Sequence, residues 1–456
     1  MFLQRLLSSV FLYFYFFQIL NYPLRWLRFF YLNSNIQMKI SNISMAGCCM
    51  VENVKELLRL HEDITHQVYL DNENSSIVPQ EIVDVMLPYF NKIAYGNPTL
   101  THKPGWEAFE VIMNSFQKIS KYMGAKILEE ITFTPGESEA NNLAIMGSCF
   151  AQREKGKKIV LSEIEPINVL HTAELMKNFG FTVTKVPVDS EGFLNMENFK
   201  EAIDKETVLV SVAAVNNELG TIQNIKEAVQ IAKDKNPQIL FHTDATDAYG
   251  RVPFNVQDLN VDLATVSSYK IQGPRGIGAV YLREGVNLDR IIEGQIGTQK
   301  LWPGIENTPL IAGFTKASEL AFENFEVTTA KMRHLRDMIV DGLFSELSDL
   351  RFNGPKGEKR SPDNANVSIL RAEGEALTIE LSLKGVYLSS GSACSRRLLQ
   401  PSHVLVAIGR RFEEAHGSVL MKMSRYLTEE DIAYVLKVFP EAVNRIRRIV
   451  GSTGVE

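Results

Sequence analysis

A doubly wound α/β fold, with a mostly parallel sheet and helices on both faces, is predicted by two features of the chain beyond Val68. Short apolar runs alternate with amphipathic stretches, the rhythm of successive βαβ units. Several of those runs end on polar residues, where open α/β sheets place their ligands. The expected strands are 158–162, 182–188, 208–215, 239–243, 263–267 and 279–282. Most are short apolar runs of buried-strand length, and 182–188 intersperses Val with polar residues. Between the third and fourth, Ile225, Ala228, Val229 and Ala232 recur at spacings of three and four and mark the apolar face of a helix. Near Pro309 the rhythm lengthens into a helical connector carrying Leu320, Met332, Leu335, Met338, Ile339 and Leu343. A smaller α/β unit follows, with strands near 366–370, 386–388 and 419–423 and a closing helix after Thr428. The segment 353–364, rich in Gly, Pro and charge, is the expected flexible loop. The organisation read from this is an extension over 1–50, a large domain over 66–310, and a small domain over 311–450 with the connecting helix and a cysteine-bearing loop.

Composition narrows the function. The 456 residues are 45% hydrophobic and 22% charged, which excludes collagen-like and disordered classes. With 48 basic against 54 acidic residues, the net charge of −6 argues against a nucleic-acid partner and leaves small molecules. Four cysteines, Cys48, Cys49, Cys149 and Cys394, lack metal-ligand or disulfide-framework spacing, so no metal site is expected and a reducing compartment is. The first 50 residues contain no acid and are crowded with aromatics. Their apolar run, 6–20, would reach only about 22 Å as a helix, against a hydrocarbon core of about 30 Å. It also lacks a small-residue cleavage site, and Arg5, Arg25 and Arg28 are few for a mitochondrial leader. The expectation is a cytoplasmic protein that starts near Met38 or Met45. Mitochondrial targeting and membrane association through the amino-terminal segment are the alternatives.

Three strand ends invite chemistry. In Phe241-His242-Thr243-Asp244-Ala245-Thr246 a carboxylate closes a strand and could pair with a cationic ligand nitrogen, although taken alone it also suits capping. In Ser267-Ser268-Tyr269-Lys270, followed by Gly273, Gly276 and Gly278, the lysine is a candidate Schiff-base amine, since desolvation raises the nucleophilicity of an amine. In Ser389-Ser390-Gly391-Ser392-Ala393-Cys394-Ser395, a loop of small residues presents a single thiol as a candidate nucleophile.

Together with Tyr69-Leu70-Asp71-Asn72, Gly96-Asn97-Pro98, Phe133-Thr134-Pro135-Gly136, Glu139 with Asn142-Leu143-Ala144-Ile145, and Asn216-Asn217-Glu218, these residues give a motif order over about 66–450. In that order the chain resembles the cysteine desulfurase and selenocysteine lyase family. The resemblance implies a fold-type I pyridoxal-phosphate enzyme that removes sulfur or selenium from cysteine or selenocysteine and leaves alanine. It implies that Lys270 binds the cofactor aldehyde and moves the substrate Cα proton, that Asp244 keeps the pyridine nitrogen protonated, and that Asn217 bonds the phenolic oxygen. Ser138 and Ser267 would hold the phosphate, Tyr269 and Asp247 would touch the cofactor, and Cys394 would attack the sulfur or selenium. A homodimer and an acceptor protein for the released atom are further implications.

Several positions depart from the family pattern. Pro166 stands where a ring-stacking His is usual, and proline cannot exchange a proton. Asp247 replaces a donor Gln, Tyr269 a His, and Ile305 a phosphate-binding Thr from the other subunit. Glu137 sits beside the phosphate serine. Leu420 occupies the position of the arginine that clamps the substrate carboxylate; Lys422 lies two residues away on the same strand face, and Arg425 is close by. The reading is a working lyase, and the alternatives are a catalytically impaired relative kept as a binding or structural partner, and an enzyme acting on another amine.

Overall fold

The computed structural model describes residues 58–391 and 401–452. The amino-terminal extension, with Cys48 and Cys49, and the loop residue Cys394 lie outside the described residues.

Seven strands form the main sheet. In chain order the first eight strands of the molecule are β1 (Val68–Tyr69), β2 (Ile131–Thr134), β3 (Lys158–Ser162), β4 (Thr182–Val186), β5 (Thr207–Ser211), β6 (Leu240–Asp244), β7 (Leu263–Ser267) and β8 (Gly278–Leu282). The sheet has the order β2-β8-β7-β6-β5-β3-β4, and only β8 runs against its neighbours. The predicted strands are present; β4 and β5 end before Val188 and Val215, which pair outside the sheet with Leu194 and Ile222. The edge strand β2, only four residues long, had no distinguishing rhythm.

Helices cover both faces, as the near-continuous apolar strands require. One core joins helix α1 (Lys103–Met123), through Ile112, Phe116 and Ile119, to Phe133, Phe241 and Val266. The other packs α2 (Glu137–Gln152) and α3 (Ile167–Met176), through Leu143, Ile145 and Val169, against Ile159, Leu161 and Leu209. The predicted helix between β5 and β6 is α4 (Ile225–Lys235), capped by the Asn224 side chain. The connector is two helices, α5 (Thr308–Glu323) and α6 (Phe325–Glu346), broken at Asn324.

A second core surrounds the antiparallel sheet β12-β13-β10-β9, built from β9 (Leu350–Phe352), β10 (Asn364–Ile369), β12 (Ser389–Ser390) and β13 (Ser418–Lys422). β11 (Val386–Tyr387) pairs with β1 in parallel, which ties the start of the described chain to this half. Helix α7 (Glu429–Ser452) closes it. Within segment 353–364, residues 356–359 are exposed as expected of a loop, while Asn353, Arg360, Ser361, Asp363 and Asn364 are buried. The Arg360 guanidinium donates to the carbonyls of Asn353, Pro355 and Asn364 and to the Asn364 side chain, so one cation replaces regular hydrogen bonding. Among the described residues, no helix is long and apolar enough to cross a membrane.

Candidate active site

The site lies beyond the carboxyl ends of β6 and β7, where the small sheet meets the large one. Asp244 is the last residue of β6 and is buried. Its Oδ2 accepts from Asn141 Nδ2 at 2.7 Å; its Oδ1 accepts from the Thr246 amide at 2.9 Å and the Thr246 hydroxyl at 2.6 Å. Thr265 on β7 orients Asn141 by donating to its Oδ1. Burial outweighs these donors and raises the Asp244 pKa, so the carboxylate gains by meeting a ligand N–H.

Lys270 follows β7 by three residues and is 1% exposed. Its amine donates to Glu73 Oε1 at 2.5 Å and to Asp247 Oδ2 at 2.9 Å. Burial alone would lower its pKa, but Asp247 and Glu73 reverse the sign and hold it well above the usual lysine value. Asn217 Nδ2 donates to the same Glu73 oxygen at 3.1 Å, which brings Asn217 into the group.

Around this amine is a lattice of buried charge. Asp247 Oδ1 meets Lys422 Nζ at 2.5 Å and Arg251 Nη1 at 3.0 Å, and Arg251 Nε reaches Asp363 Oδ2 at 2.9 Å. Lys422 also lies 3.4 Å from Glu73 Oε2 and 3.5 Å from Asp363 Oδ2. Burial would raise the Asp247 pKa, yet Lys270, Lys422 and Arg251 hold it far below the ordinary carboxylate range. Contacts between segments distant in sequence assemble the lattice. The Lys422 amide donates to the Leu70 carbonyl and Asn72 Nδ2 to the Lys422 carbonyl, which sets Glu73 against β13. The Met423 amide binds the Asp363 carbonyl.

The remaining expected cofactor contacts gather at the amino end of α2. Tyr269 donates its hydroxyl to Glu137 Oε2 at 2.9 Å, and Asn168 donates to Glu137 Oε1. Burial raises the Glu137 pKa to about 7, offset in part by Lys270. A protonated Glu137 removes the like charge that a phosphate would meet there. Ser138 is exposed in the first turn of α2, and Ser267 Oγ is buried with no hydrogen-bond partner among the described residues. An orphaned hydroxyl beside a helix amino terminus suits a phosphate. With Asp244 and Lys270 alongside, the residues fit pyridoxal phosphate.

The departures have definite places. Leu420 is buried on β13 opposite Asn366 and Ser389, so an apolar group faces the position expected for a carboxylate clamp. Pro166 precedes α3, and buried Glu165 before it accepts from the Ala213 amide. Ile305 is exposed. Asn141, Glu73, Arg251 and Asp363 carry no motif of their own; the available signal was their closeness to quoted runs, and for Asn141 an amide on the buried side of a helix.

The fold and this constellation define a fold-type I enzyme that works with pyridoxal phosphate. Residues 68–435 match the family Aminotransferase class-V. The chain is 40% identical over 384 residues to Cysteine desulfurase IscS of Clostridium botulinum, covering 84% of this chain and 96% of that protein. The Methanosarcina thermophila Cysteine desulfurase IscS is 41% identical, covering 84% and 93%; the mitochondrial cysteine desulfurase of Candida albicans is 39% identical, covering 84% and 78%. A solved NifS-like protein superposes with a TM-score of 0.78 at 32% identity, over 83% of this chain and 100% of that one. The chain belongs to the cysteine desulfurase family of class-V aminotransferases.

Proposed function

We propose that the protein is a pyridoxal-phosphate-dependent lyase that takes sulfur or selenium from cysteine or selenocysteine and leaves alanine. The observation that carries this reading is the placement of Asp244 and Lys270 at the ends of adjacent strands, both buried in one site. The cofactor, when bound, supplies an aldehyde and an electron-accepting ring. Lys270 would hold that aldehyde and would carry the substrate Cα proton, and Asp244 would accept from the ring N–H. Asn217 and Asp247 would hold the ring, while Ser138, Ser267 and Tyr269 would hold the phosphate. Cys394 attacks the substrate sulfur; the Cβ–S bond breaks and the thiol keeps the atom as a persulfide for an acceptor protein. A solved relative, SspA in complex with cysteine, 30% identical with a TM-score of 0.69, supports the choice of substrate.

In this reading 66–310 would bind the cofactor and 311–450 would carry the cysteine loop. Exposed apolar side chains concentrate between residues 77 and 109, including Leu87, Phe90, Ile93, Trp106 and Phe109, and this surface supports a homodimer. We place the protein in the cytoplasm, with a mitochondrial or membrane-associated site as the alternatives; the mass of the native amino terminus separates these.

The test is visible absorption of the purified protein with added pyridoxal phosphate, followed by alanine and sulfide or selenide release from the two amino acids. A cofactor band with product release is expected, and Cys394→Ser is expected to keep the band and lose sulfur transfer. Absence of both band and product would overturn the reading in favour of an impaired relative.

A further inference from the structure

We propose that Lys422 is a positioning residue for Lys270: it holds the second oxygens of Asp247 and Glu73, so that the Lys270 amine can release its proton and react. The geometry is a pair of bridging carboxylates. Asp247 gives Oδ2 to Lys270 at 2.9 Å and Oδ1 to Lys422 at 2.5 Å; Glu73 gives Oε1 to Lys270 at 2.5 Å and Oε2 to Lys422 at 3.4 Å. An amine attacks an aldehyde only in its neutral form, and a lysine between two carboxylates retains its proton. With Lys270 neutral, Asp247 still has Lys422 and Arg251 as counter-charges, and Glu73 still has Lys422. Without Lys422, Lys270 becomes the one cation of the lattice within ion-pair reach of Glu73, and its neutral form leaves that buried carboxylate uncompensated.

Among the described residues, the titratable and charged groups around Lys270 come from several elements. Asp244, Asp247 and Arg251 come from the end of β6 and the turn after it, Glu73 from the segment after β1, Glu137 from the start of α2, Tyr269 from its own turn and Lys422 from β13. Asp363 completes the set behind Lys422. Three carboxylates within 3.5 Å of Lys422 already occupy it, so it does not take over the substrate-clamping place left by Leu420.

This rests on the proposed function only for what Lys270 reacts with, and its test needs no turnover. Full-length protein stripped of cofactor is mixed with pyridoxal phosphate, reduced with borohydride at intervals, and the adduct on the Lys270 peptide is counted by mass spectrometry from pH 7 to 10. Methyl acetimidate labelling of the same peptide is run in parallel. Lys422→Met is expected to slow both reactions about tenfold or more at pH 8, a shift of the profile by about one pH unit upward. Lys422→Arg is expected to restore the profile. Lys422→Met combined with Glu73→Gln, which removes the cation together with the carboxylate it would leave uncompensated, is expected to react at least as fast as the parent. Parent-like rates in Lys422→Met with an unchanged melting temperature would overturn the proposal, and so would slow labelling of the charge-balanced double variant should the single variant fold poorly. A chain that labels as expected but releases no sulfide would keep Lys422 in this part and remove the desulfurase reading.

Discussion

Asp244 and Asp247 stand one turn apart at the end of the same strand, yet they are held in opposite ways. Asp244 belongs to a region of neutral donors, where Asn141 and Thr246 satisfy it and burial raises its pKa. Asp247 belongs to the junction with the small sheet, where three cations surround it and keep it ionised. The first environment leaves a carboxylate ready for a cationic ligand group. The second commits its carboxylate to the protein's own charges. Proximity in sequence therefore says little about role; the partners brought by distant segments set it.

The contrast is broken most severely at its first member. Asp244→Asn is expected to lower sulfide release by roughly 10³-fold, because the charge facing the ring nitrogen is gone, with a melting temperature close to the parent's. Equal loss of activity and of stability would mean that Asp244 is structural. Asp247→Leu should invert the balance. It leaves Lys422, Arg251 and Lys270 short of a buried anion, a cost of about 3 to 5 kcal/mol that denaturant unfolding would register. An unchanged unfolding midpoint would show that the lattice is not needed for folding.

Arg360 extends the test to the loop that carries Asp363. Arg360→Met is expected to destabilise the protein by about 2 to 3 kcal/mol, since the carbonyls of Asn353, Pro355 and Asn364 lose their shared donor. Proteolysis within 353–364 should then appear where the parent resists it. The smallest effect concerns pH. Burial raises the Glu218 carboxyl to about 7 from a reference of 4.5, with Ser402 as its donor. Its folded form binds a proton more tightly than its unfolded form, so stability is greatest below about 4.5 for this group and falls as pH rises through about 7. Asp247 acts in the other direction: its depressed pKa adds stability above the unfolded value that is lost in acid. Glu218→Gln should flatten the decline between pH 5 and 8, a gain of about 2 kcal/mol at pH 8 measured by unfolding.

What was readable along the chain is whatever local neighbours impose. Apolar runs of strand length, the three-and-four spacing of Ile225 to Ala232, and the strand-end positions of Asp244 and Lys270 are all short-range patterns, and each places its element correctly. The charge lattice was not readable, because its members lie far apart: Glu73 meets Lys270 across 197 residues and Lys422 meets Asp247 across 175. Composition gave the loop at 353–364 but not that a buried guanidinium, Arg360, satisfies its backbone at Asn353 and Pro355. Backbone periodicity follows from the pleat and the helical turn, so it is written residue by residue. The protonation state of an active-site amine follows from which charges converge on it, and that convergence exists only after both sheets have packed.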